Sequence, residues 1–322
     1  MDTGARLYFH SPCFDGIASA VIARSFLVRG RRWPDPELVV VNYDARDQWY
    51  ATPFPHRAAV VDFLFHPEAA FWADHHATTF LGPSAASAFR SEDETKLYDP
   101  SAASCAGLLQ SWLGKRGEAE SQFDALARWA DKIDSADYES VDEALFPAAP
   151  ALRIAASLAT ANSADCVSIV RILGTNSLEQ AARVPEVSAR ASRVDDLVAA
   201  GLRRVEKALS MGESGIAEFE VDSRGVIINR YSAYCFAPTA RYSAALILGE
   251  DGDRISVMRN PWMRFESIHL GKLCSAFGGG GHQRVGAVQF PSGSTSRARE
   301  VFARIVRRIA AEDRRAGVAK AG

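Results

Sequence analysis

A carboxylate and two imidazoles stand side by side in the segment FWADHHATTF, residues 71–80. Its apolar run predicts the end of a short buried strand, after which Asp74, His75 and His76 would leave the sheet. Imidazole nitrogen and carboxylate oxygen together suit divalent manganese, iron or zinc. A single strand end of this kind is more often merely solvated, so a metal site is predicted only if other strands end in the same way.

Other predicted strands do carry potential ligands at their ends. The strand RLYFH ends in His10, the turn after it carries Cys13 and Asp15, and the apolar segment 58–65 carries Asp62. These strands alternate with helical segments, which indicates a parallel α/β sheet. Because ligands of such sheets bind beyond the carboxyl ends of the strands, we expect these side chains to converge with His75.

A helix predicted at residues 123–138 supplies further carboxylates. Asp131 and Asp134 lie three residues apart and share one face of this helix, so either could complete the ligand set. The preceding helix is predicted at residues 98–113. Together these segments give six candidate metal ligands: His10, Cys13, Asp15, Asp62, His75 and Asp131.

This set provides about as many donors as two divalent ions roughly 3.5–4 Å apart require, with one carboxylate bridging them. Such a pair lowers the pKa of a bridging water and clamps phosphoryl oxygens. Asp74 would orient a histidine by a hydrogen bond, without itself binding the metal. His76 could donate a hydrogen bond to a substrate oxygen or to the leaving group. The alternative is that several of these residues are helix caps or solvated surface groups.

The pattern changes from helices to strands near residue 210, which predicts a second domain. One of its predicted strands covers residues 225–231. A helix at 267–277 precedes four consecutive glycines, 278–281, and His282. The glycines could form a helix C-cap and a flexible loop, or they could let backbone N–H groups approach a phosphate or a base.

The composition is that of a globular protein with two domains. The chain has 322 residues, 48% hydrophobic and 24% charged, with a formal net charge of −2. It therefore lacks the overall basic charge of proteins that hold long DNA duplexes. Five cysteines without a CxxC pair, and no apolar leader, predict a reduced, cytoplasmic protein. No apolar run approaches the 18 or so residues of a membrane span.

Five motifs occur in order between His10 and Gly286: HSPCFDG, VVDF, ADHH, WADKID and FGGGGH. Together they resemble the DHH phosphoesterase family. The resemblance implies a parallel-sheet α/β DHH domain, residues 1–205, and a smaller α/β DHH-associated C-terminal domain with a mixed sheet, residues 206–322. It also implies a substrate cleft between them and manganese-dependent hydrolysis of phosphodiesters or phosphoanhydrides.

The resemblance also implies roles for individual residues. The first metal would be held by His10, Cys13 and Asp62, and the second by Asp15, Asp62, His75 and Asp131. The catalytic residues would be His76 and Asp74. The substrate would contact Gly278, Gly279, Gly280, Gly281, His282 and Arg259, the last as a phosphate contact.

Cys13 departs from the family pattern, which usually has aspartate at that position. A thiolate is a softer ligand and would favour Zn²⁺ or Fe²⁺ over a pair of Mn²⁺ ions. If Cys13 instead remains a neutral bystander thiol, the first site loses a charge. His10 and Asp62 do not by themselves select a soft metal, and this favours the bystander alternative.

The function predicted by the resemblance is that of a nanoRNase-like phosphodiesterase acting on very short RNA, a dinucleotide or a 3′-phosphorylated nucleotide. A non-catalytic nucleotide-binding protein with a degenerate site is the alternative from another class. A phosphoanhydride hydrolase of the pyrophosphatase or polyphosphatase type is the third. Neither long duplex DNA nor a membrane is an expected partner, and a homodimer is left open.

Overall fold

The computed structural model describes residues 4–91, 93–212 and 215–318. The chain forms two compact units. The first comprises residues 4–138 and 148–194, and the second comprises residues 139–147 and 195–318. The units divide within a helix, at Val194 and Asp195, whereas the predicted boundary lies between residues 205 and 206. The division is not at a single point of the chain, because the short segment 139–147 interrupts the first unit in sequence but belongs to the second.

The first unit is built on a five-stranded sheet with the order β2-β1-β3-β4-β5, in which every neighbouring pair is parallel. The parallel α/β sheet predicted from the sequence is confirmed. Its strands are β1 Ala5–His10, β2 Glu37–Val41, β3 Arg57–Val61, β4 Phe71–Asp74 and β5 Lys96–Tyr98. Its helices are α1 Phe14–Ser25, α2 Pro83–Ala88, α3 Cys105–Lys115, α4 Asp124–Asp134, α6 Pro150–Leu158, α7 Ser163–Leu173 and α8 Leu178–Ala182.

Alternate residues of the strands face two different cores. Leu7 and Phe9 pack with α1 and α3, whereas Tyr8 packs with the aromatic side chains of Trp49 and Trp72 on the other face. Both faces of the sheet are therefore buried, which explains the continuous apolar runs in the sequence.

Two elements predicted in the first unit differ from the structure. The helix predicted from residue 98 begins only at Cys105, because the side chain of Ser104 caps it by accepting from the backbone N–H of Gly107 at 2.8 Å. The segment predicted as a strand over 37–44 ends at Val41 and continues as a 3₁₀ helix, Tyr43–Ala51.

The second unit contains a mixed six-stranded sheet with the order β10-β11-β9-β8-β7-β6. Only β7 and β8 pair in parallel, and the other pairs are antiparallel. Its strands are β6 Ser210–Met211, β7 Ile216–Asp222, β8 Tyr242–Leu248, β9 Gly252–Arg259, β10 Gly280–Gly281 and β11 Val285–Pro291. The helices of this unit are α5 Val141–Leu145, α10 Ser232–Phe236, α11 Leu270–Ser275 and α12 Thr295–Val318, and α9 Pro185–Ala208 contributes to both units.

The predicted mixed sheet of this unit is confirmed, but residues 225–231 do not form the strand predicted for them. Its core lies between the sheet and the helices α11 and α12, where Leu246, Ile255 and Ile305 are fully buried. Within the described residues, no helix combines the length and the apolar character needed to cross a membrane.

Candidate metal centre

Three neighbouring strands of the first sheet bring polar side chains to one edge. β1 ends in His10, β3 is followed by Asp62, and β4 is followed by His75. Because β1, β3 and β4 are adjacent and parallel, their carboxyl ends lie together. The Nδ1 atom of His10 lies 3.4 Å from one carboxylate oxygen of Asp62, and the Nε2 atom of His75 lies 3.8 Å from the other.

Asp62 occupies the centre of this cluster and is fully buried. Its φ of 54° lies in the left-handed region, which is uncommon for a residue other than glycine but is tolerated by aspartate. The backbone N–H of Asp62 donates to the carbonyl of Ala73 at 2.9 Å, which holds this conformation. Burial, and then the charge of Asp15, raise the pKa of the Asp62 carboxyl well above its usual value.

Gly16 allows the first turn of α1 to approach this edge. A Cβ atom on Gly16 would lie 1.9 Å from the carbonyl oxygen of His10 and 3.1 Å from a carboxylate oxygen of Asp62. Any larger residue would push the helix away from the sheet. The glycine of the HxxxxDG motif therefore has a steric reason in this structure.

Asp15 is held at the amino end of α3. Its carboxylate accepts from the backbone N–H groups of Cys105 at 2.7 Å and Ala106 at 2.9 Å, and from the hydroxyl of Ser19 at 3.2 Å. The unpaired N–H groups and the dipole at a helix amino terminus favour a carboxylate. One oxygen of Asp15 also lies 3.5 Å from Nε2 of His75.

His75 presents a lone pair to the carboxylates. Its Nδ1 atom lies 3.0 Å from the carbonyl oxygen of Ala102, which can only accept, so Nδ1 carries the proton in the neutral ring. Nε2 then faces Asp15 and lies 3.4 Å from a carboxylate oxygen of Asp134. A second ring nitrogen bound to a backbone carbonyl is the usual arrangement of a metal-ligating histidine.

Of the two aspartates that the sequence left as alternatives, Asp134 lies in the cluster and Asp131 does not. Asp131 accepts a hydrogen bond at 2.6 Å from the hydroxyl of Ser104, the residue that caps α3, and its carboxylate packs against Gly107. The geometry therefore favours Asp134 over the predicted Asp131 as a candidate ligand. Burial and the charge of Asp15 raise the pKa of Asp134 to about 6.

His76 is positioned by Asp74. The Nδ1 atom of His76 and the backbone N–H of His75 both lie 2.8 Å from the same carboxylate oxygen of Asp74, which is buried. This hydrogen bond raises the pKa of His76 above its ordinary value. Asp74 thus favours the protonated form of His76, while the ring of His76 stays partly exposed.

The donor set is arranged to fit divalent cations. The ligand atoms of His10, Cys13 and Asp62 lie within 4.8 Å of one another, and so do those of Asp15, His75 and Asp134. Among the described residues, both oxygens of Asp62, Nδ1 of His10 and Nε2 of His75 are buried and have no hydrogen-bond partner. Such atoms are costly unless something pairs with them, and a cation would satisfy carboxylate and imidazole alike.

Neither a known family model nor a curated protein matches this sequence. Solved structures do match. PggH from Vibrio cholerae, described as a pGpG-specific phosphodiesterase, matches with a TM-score of 0.70 and 16% identity, over 94% of this chain and 98% of that chain. RecJ from Thermus thermophilus in complex with Mn²⁺ matches with a TM-score of 0.60 and 15% identity, over 94% of this chain and 52% of that chain. The protein has the fold of the DHH phosphoesterases.

The DHH fold extends over both units, so the second unit is also part of the match. This chain spans about half of the Thermus RecJ and nearly all of PggH. The predicted fold class is therefore confirmed for the whole chain, while the roles predicted for individual residues remain predictions.

In the second unit of this DHH fold, three of the four consecutive glycines have structural reasons to be glycine. Gly278 has a φ of 84° and Gly281 one of 138°. A Cβ atom on Gly279 would lie 2.0 Å from the carbonyl oxygen of Ala287. Gly280 differs, because a Cβ atom there would meet nothing within 4 Å. A side chain at Gly280 would therefore point into open space.

Arg259 does not present a free guanidinium to a phosphate. Its terminal nitrogens donate to the carbonyl oxygens of Asn260, Met263 and Phe265 at 2.7–3.0 Å, and the guanidinium lies 4.4 Å from the ring centre of Phe265. These contacts hold the segment after β9. The guanidinium of Arg259 is thus bound to the segment that follows it, and the phosphate contact remains a prediction. The side chains of His282 and Arg284 are exposed.

Tyr43 lies at the edge of this cluster and was not among the residues predicted from the sequence. Its ring lies 5.2 Å from the ring of His10 and 5.4 Å from that of Phe63, at the edge of the cluster. Burial and the charges of Asp74 and Asp62 raise the pKa of its phenol. The signal was available, since Tyr43 follows β2 at the same edge of the sheet, but predicting a strand over 37–44 hid it.

Proposed function

We propose that this protein is a divalent-metal-dependent phosphoesterase that hydrolyses phosphodiester bonds of short oligoribonucleotides or dinucleotides. The observation that carries the proposal is the group of buried, unpartnered ligand atoms of Asp62, His10 and His75 at one edge of a parallel sheet. A purely structural cluster would satisfy these atoms internally.

Two groups of residues would hold the cations. They are His10, Cys13 and Asp62 on one side and Asp15, His75 and Asp134 on the other, with Asp62 close to both. When bound, two divalent cations would supply an activated water and would neutralise charge on the phosphoryl oxygens. The positions of His75 and Asp15 are set by hydrogen bonds to backbone groups, so the ligand atoms would be oriented before any cation arrives.

His76 is the residue proposed to protonate the leaving group. Hydrolysis breaks the phosphorus–oxygen bond to the departing nucleoside, whose oxygen must gain a proton. His76 is partly exposed, and Asp74 favours its protonated form. A positioned imidazolium can supply that proton as a general acid. Asp74 acts through His76 and is a positioning residue.

The substrate class is supported by two observations. The fold is similar to that of a pGpG-specific phosphodiesterase over almost the full length of both chains, and another structural neighbour is a RecJ. In the second unit, packing does not require glycine at Gly280, since a side chain there would point into open space, and a glycine at such a position is expected if a nucleotide approaches it. Both observations favour nucleotide substrates over an inorganic phosphoanhydride.

A hydrolysis panel on protein of known metal content tests this proposal. Elemental analysis would be followed by assays of pGpG, a short RNA, bis(4-nitrophenyl) phosphate and pyrophosphate with Mn²⁺, Mg²⁺ or Zn²⁺. Turnover of pGpG or the short RNA is the expected result. Turnover of pyrophosphate alone would favour a phosphoanhydride hydrolase. Nucleotide binding without turnover by any metal would show a binding protein instead.

A further inference from the structure

We propose that Cys13 is a metal ligand, and that the cation site formed by His10, Cys13 and Asp62 selects a thiophilic ion such as Zn²⁺ or Fe²⁺. This inference rests on the proposed function only in requiring divalent cations at this edge of the sheet. It makes the two sites chemically different, since the other site offers one nitrogen and two carboxylates from His75, Asp15 and Asp134.

The position of Cys13 supports coordination. It is the residue before the first turn of α1, with an extended backbone, φ −145° and ψ 138°, and its side chain makes no hydrogen bond that caps the helix. Its sulfur lies within 4.8 Å of ligand atoms of both His10 and Asp62. The thiol is thus placed at the helix amino terminus without serving as its cap.

The sulfur completes a donor set that would otherwise be short. Both oxygens of Asp62 and Nδ1 of His10 are buried without a hydrogen-bond partner among the described residues. Without the sulfur, a cation here would have only these two residues. With it, three protein residues would hold the cation, the number that catalytic zinc sites use. The number of protein ligands therefore favours coordination by Cys13 over the bystander alternative, which rested only on the hardness of the His10 and Asp62 donors.

The charge balance fits a cation that displaces a proton. Burial, and then the charge of Asp15, raise the pKa of the Cys13 thiol. Binding of M²⁺ forms the metal–sulfur bond and breaks the sulfur–hydrogen bond, and the proton passes to solvent. Sulfur and imidazole nitrogen together favour Zn²⁺ or Fe²⁺ over Mn²⁺, whereas two carboxylates favour harder ions. One centre would therefore hold two different metals.

Cobalt spectroscopy tests this without relying on hydrolysis. Metal-free protein would be titrated with Co²⁺, whose thiolate complexes absorb in the near ultraviolet. The intact protein should show this charge-transfer band, and Cys13→Ser should lose it while still binding Co²⁺ at the second site. Cys235→Ser is the matched control, since Cys235 is also partly exposed and lies in the other unit, and it should keep the band.

Competition titrations give the second measurement. Zn²⁺ affinity of one site should fall by more than about 100-fold in Cys13→Ser, beyond the loss caused by removing an outer hydrogen-bond partner. Cys13→Asp should lose the band, keep two bound ions and shift preference towards Mn²⁺. Absence of the band in the intact protein, or unchanged Zn²⁺ affinity in Cys13→Ser, would overturn this proposal while leaving the phosphoesterase proposal standing. Failure to bind any divalent ion would overturn both.

Discussion

Two regions of the molecule differ in whether their polar atoms have hydrogen-bond partners. They are the cluster at the carboxyl edge of the first sheet and the glycine segment of the second unit together with Arg259. Asp62 and His10 bury ligand atoms that nothing in the described chain satisfies. Arg259, which precedes the glycine segment in sequence, donates hydrogen bonds to three backbone carbonyls. The first region is incomplete without a ligand, and the second is largely complete. Substitutions should therefore affect function in the first region and stability in much of the second.

Asp62→Asn should have the largest effect on activity. Asparagine tolerates the left-handed backbone, so the fold should persist, but a central cation ligand is lost. We expect turnover to fall by roughly a thousand-fold, the equivalent of about 4 kcal/mol of transition-state stabilisation. Steady-state hydrolysis of pGpG with saturating metal measures this. Near-normal activity would contradict the central place given to Asp62.

The same variant should change the stability of the metal-free protein in the opposite direction. Because the folded pKa of Asp62 is raised, its contribution to stability is present below pH 4 and is lost as pH rises through that raised pKa. At pH 8, Asp62→Asn should therefore raise the free energy of unfolding by roughly 1–3 kcal/mol, and at low pH the gain should vanish. Urea unfolding at the two pH values checks the sign.

His76→Gln should lower kcat by about 100-fold, because the leaving oxygen loses its proton donor. The loss should be much smaller for bis(4-nitrophenyl) phosphate, whose leaving group needs no proton. His56→Gln, in an exposed position, is the control and should be unaffected. An equal loss on both substrates would argue against a general acid.

Asp74→Asn should alter the pH dependence of that step. Activity needs protonated His76 and falls as pH rises through its pKa, which the hydrogen bond to Asp74 raises. Removing this carboxylate should move the basic limb of the pH–kcat profile to lower pH. An unchanged basic limb would show that another group sets it.

The pair Asp134→Asn and Asp131→Asn separates a ligand from a structural carboxylate. Asp134→Asn should weaken Mn²⁺ binding by at least about tenfold. It should not lower the stability of the metal-free protein, because the raised pKa of Asp134 shows that the folded state disfavours the ionised carboxylate. Asp131→Asn should do the reverse, costing about 1 kcal/mol through the weakened contact with Ser104, the cap of α3. Calorimetric Mn²⁺ titration and urea unfolding of both variants would decide. The opposite assignment of effects would restore Asp131 as the ligand.

The smallest effect on chemistry is expected at the glycine segment. Gly280→Val should fold normally, because its side chain points into open space, and should raise KM for a dinucleotide but not for bis(4-nitrophenyl) phosphate. Gly279→Ala should instead lower stability, since its Cβ atom would meet the carbonyl of Ala287. Gly280→Val with an unchanged dinucleotide KM would mean that no substrate approaches this backbone.

Much of the candidate site could be predicted because its residues stand at strand ends. The apolar runs before His10, Asp62 and His75 mark strands whose alternate residues face two cores, and parallel strands bring their ends to one edge. The ligands on these strands are therefore readable from the sequence, together with Asp15, which the HxxxxDG motif marked.

The remaining assignments depended on contacts that are distant in sequence. Asp131 and Asp134 share a helix face, and only the contact of Ser104, 27 residues earlier, shows which carboxylate is occupied elsewhere. The family resemblance implied a phosphate contact for Arg259, but its hydrogen bonds to the carbonyls of the following turn could not be foreseen from residue types. Tyr43 was missed because the predicted strand extended to residue 44, whereas β2 ends at Val41.

The segment 139–147 belongs to the second unit, and this affects the order in which its contacts can form during synthesis. Its helix α5 packs against α10, yet Leu145 and Ser232 are 87 residues apart in sequence. During synthesis at about 5–20 residues per second, α5 would leave the ribosome roughly 4–17 s before its partner exists. The segment 139–147 is therefore synthesised well before the helix of its own unit that packs against it. Slow translation after residue 147 would lengthen that interval.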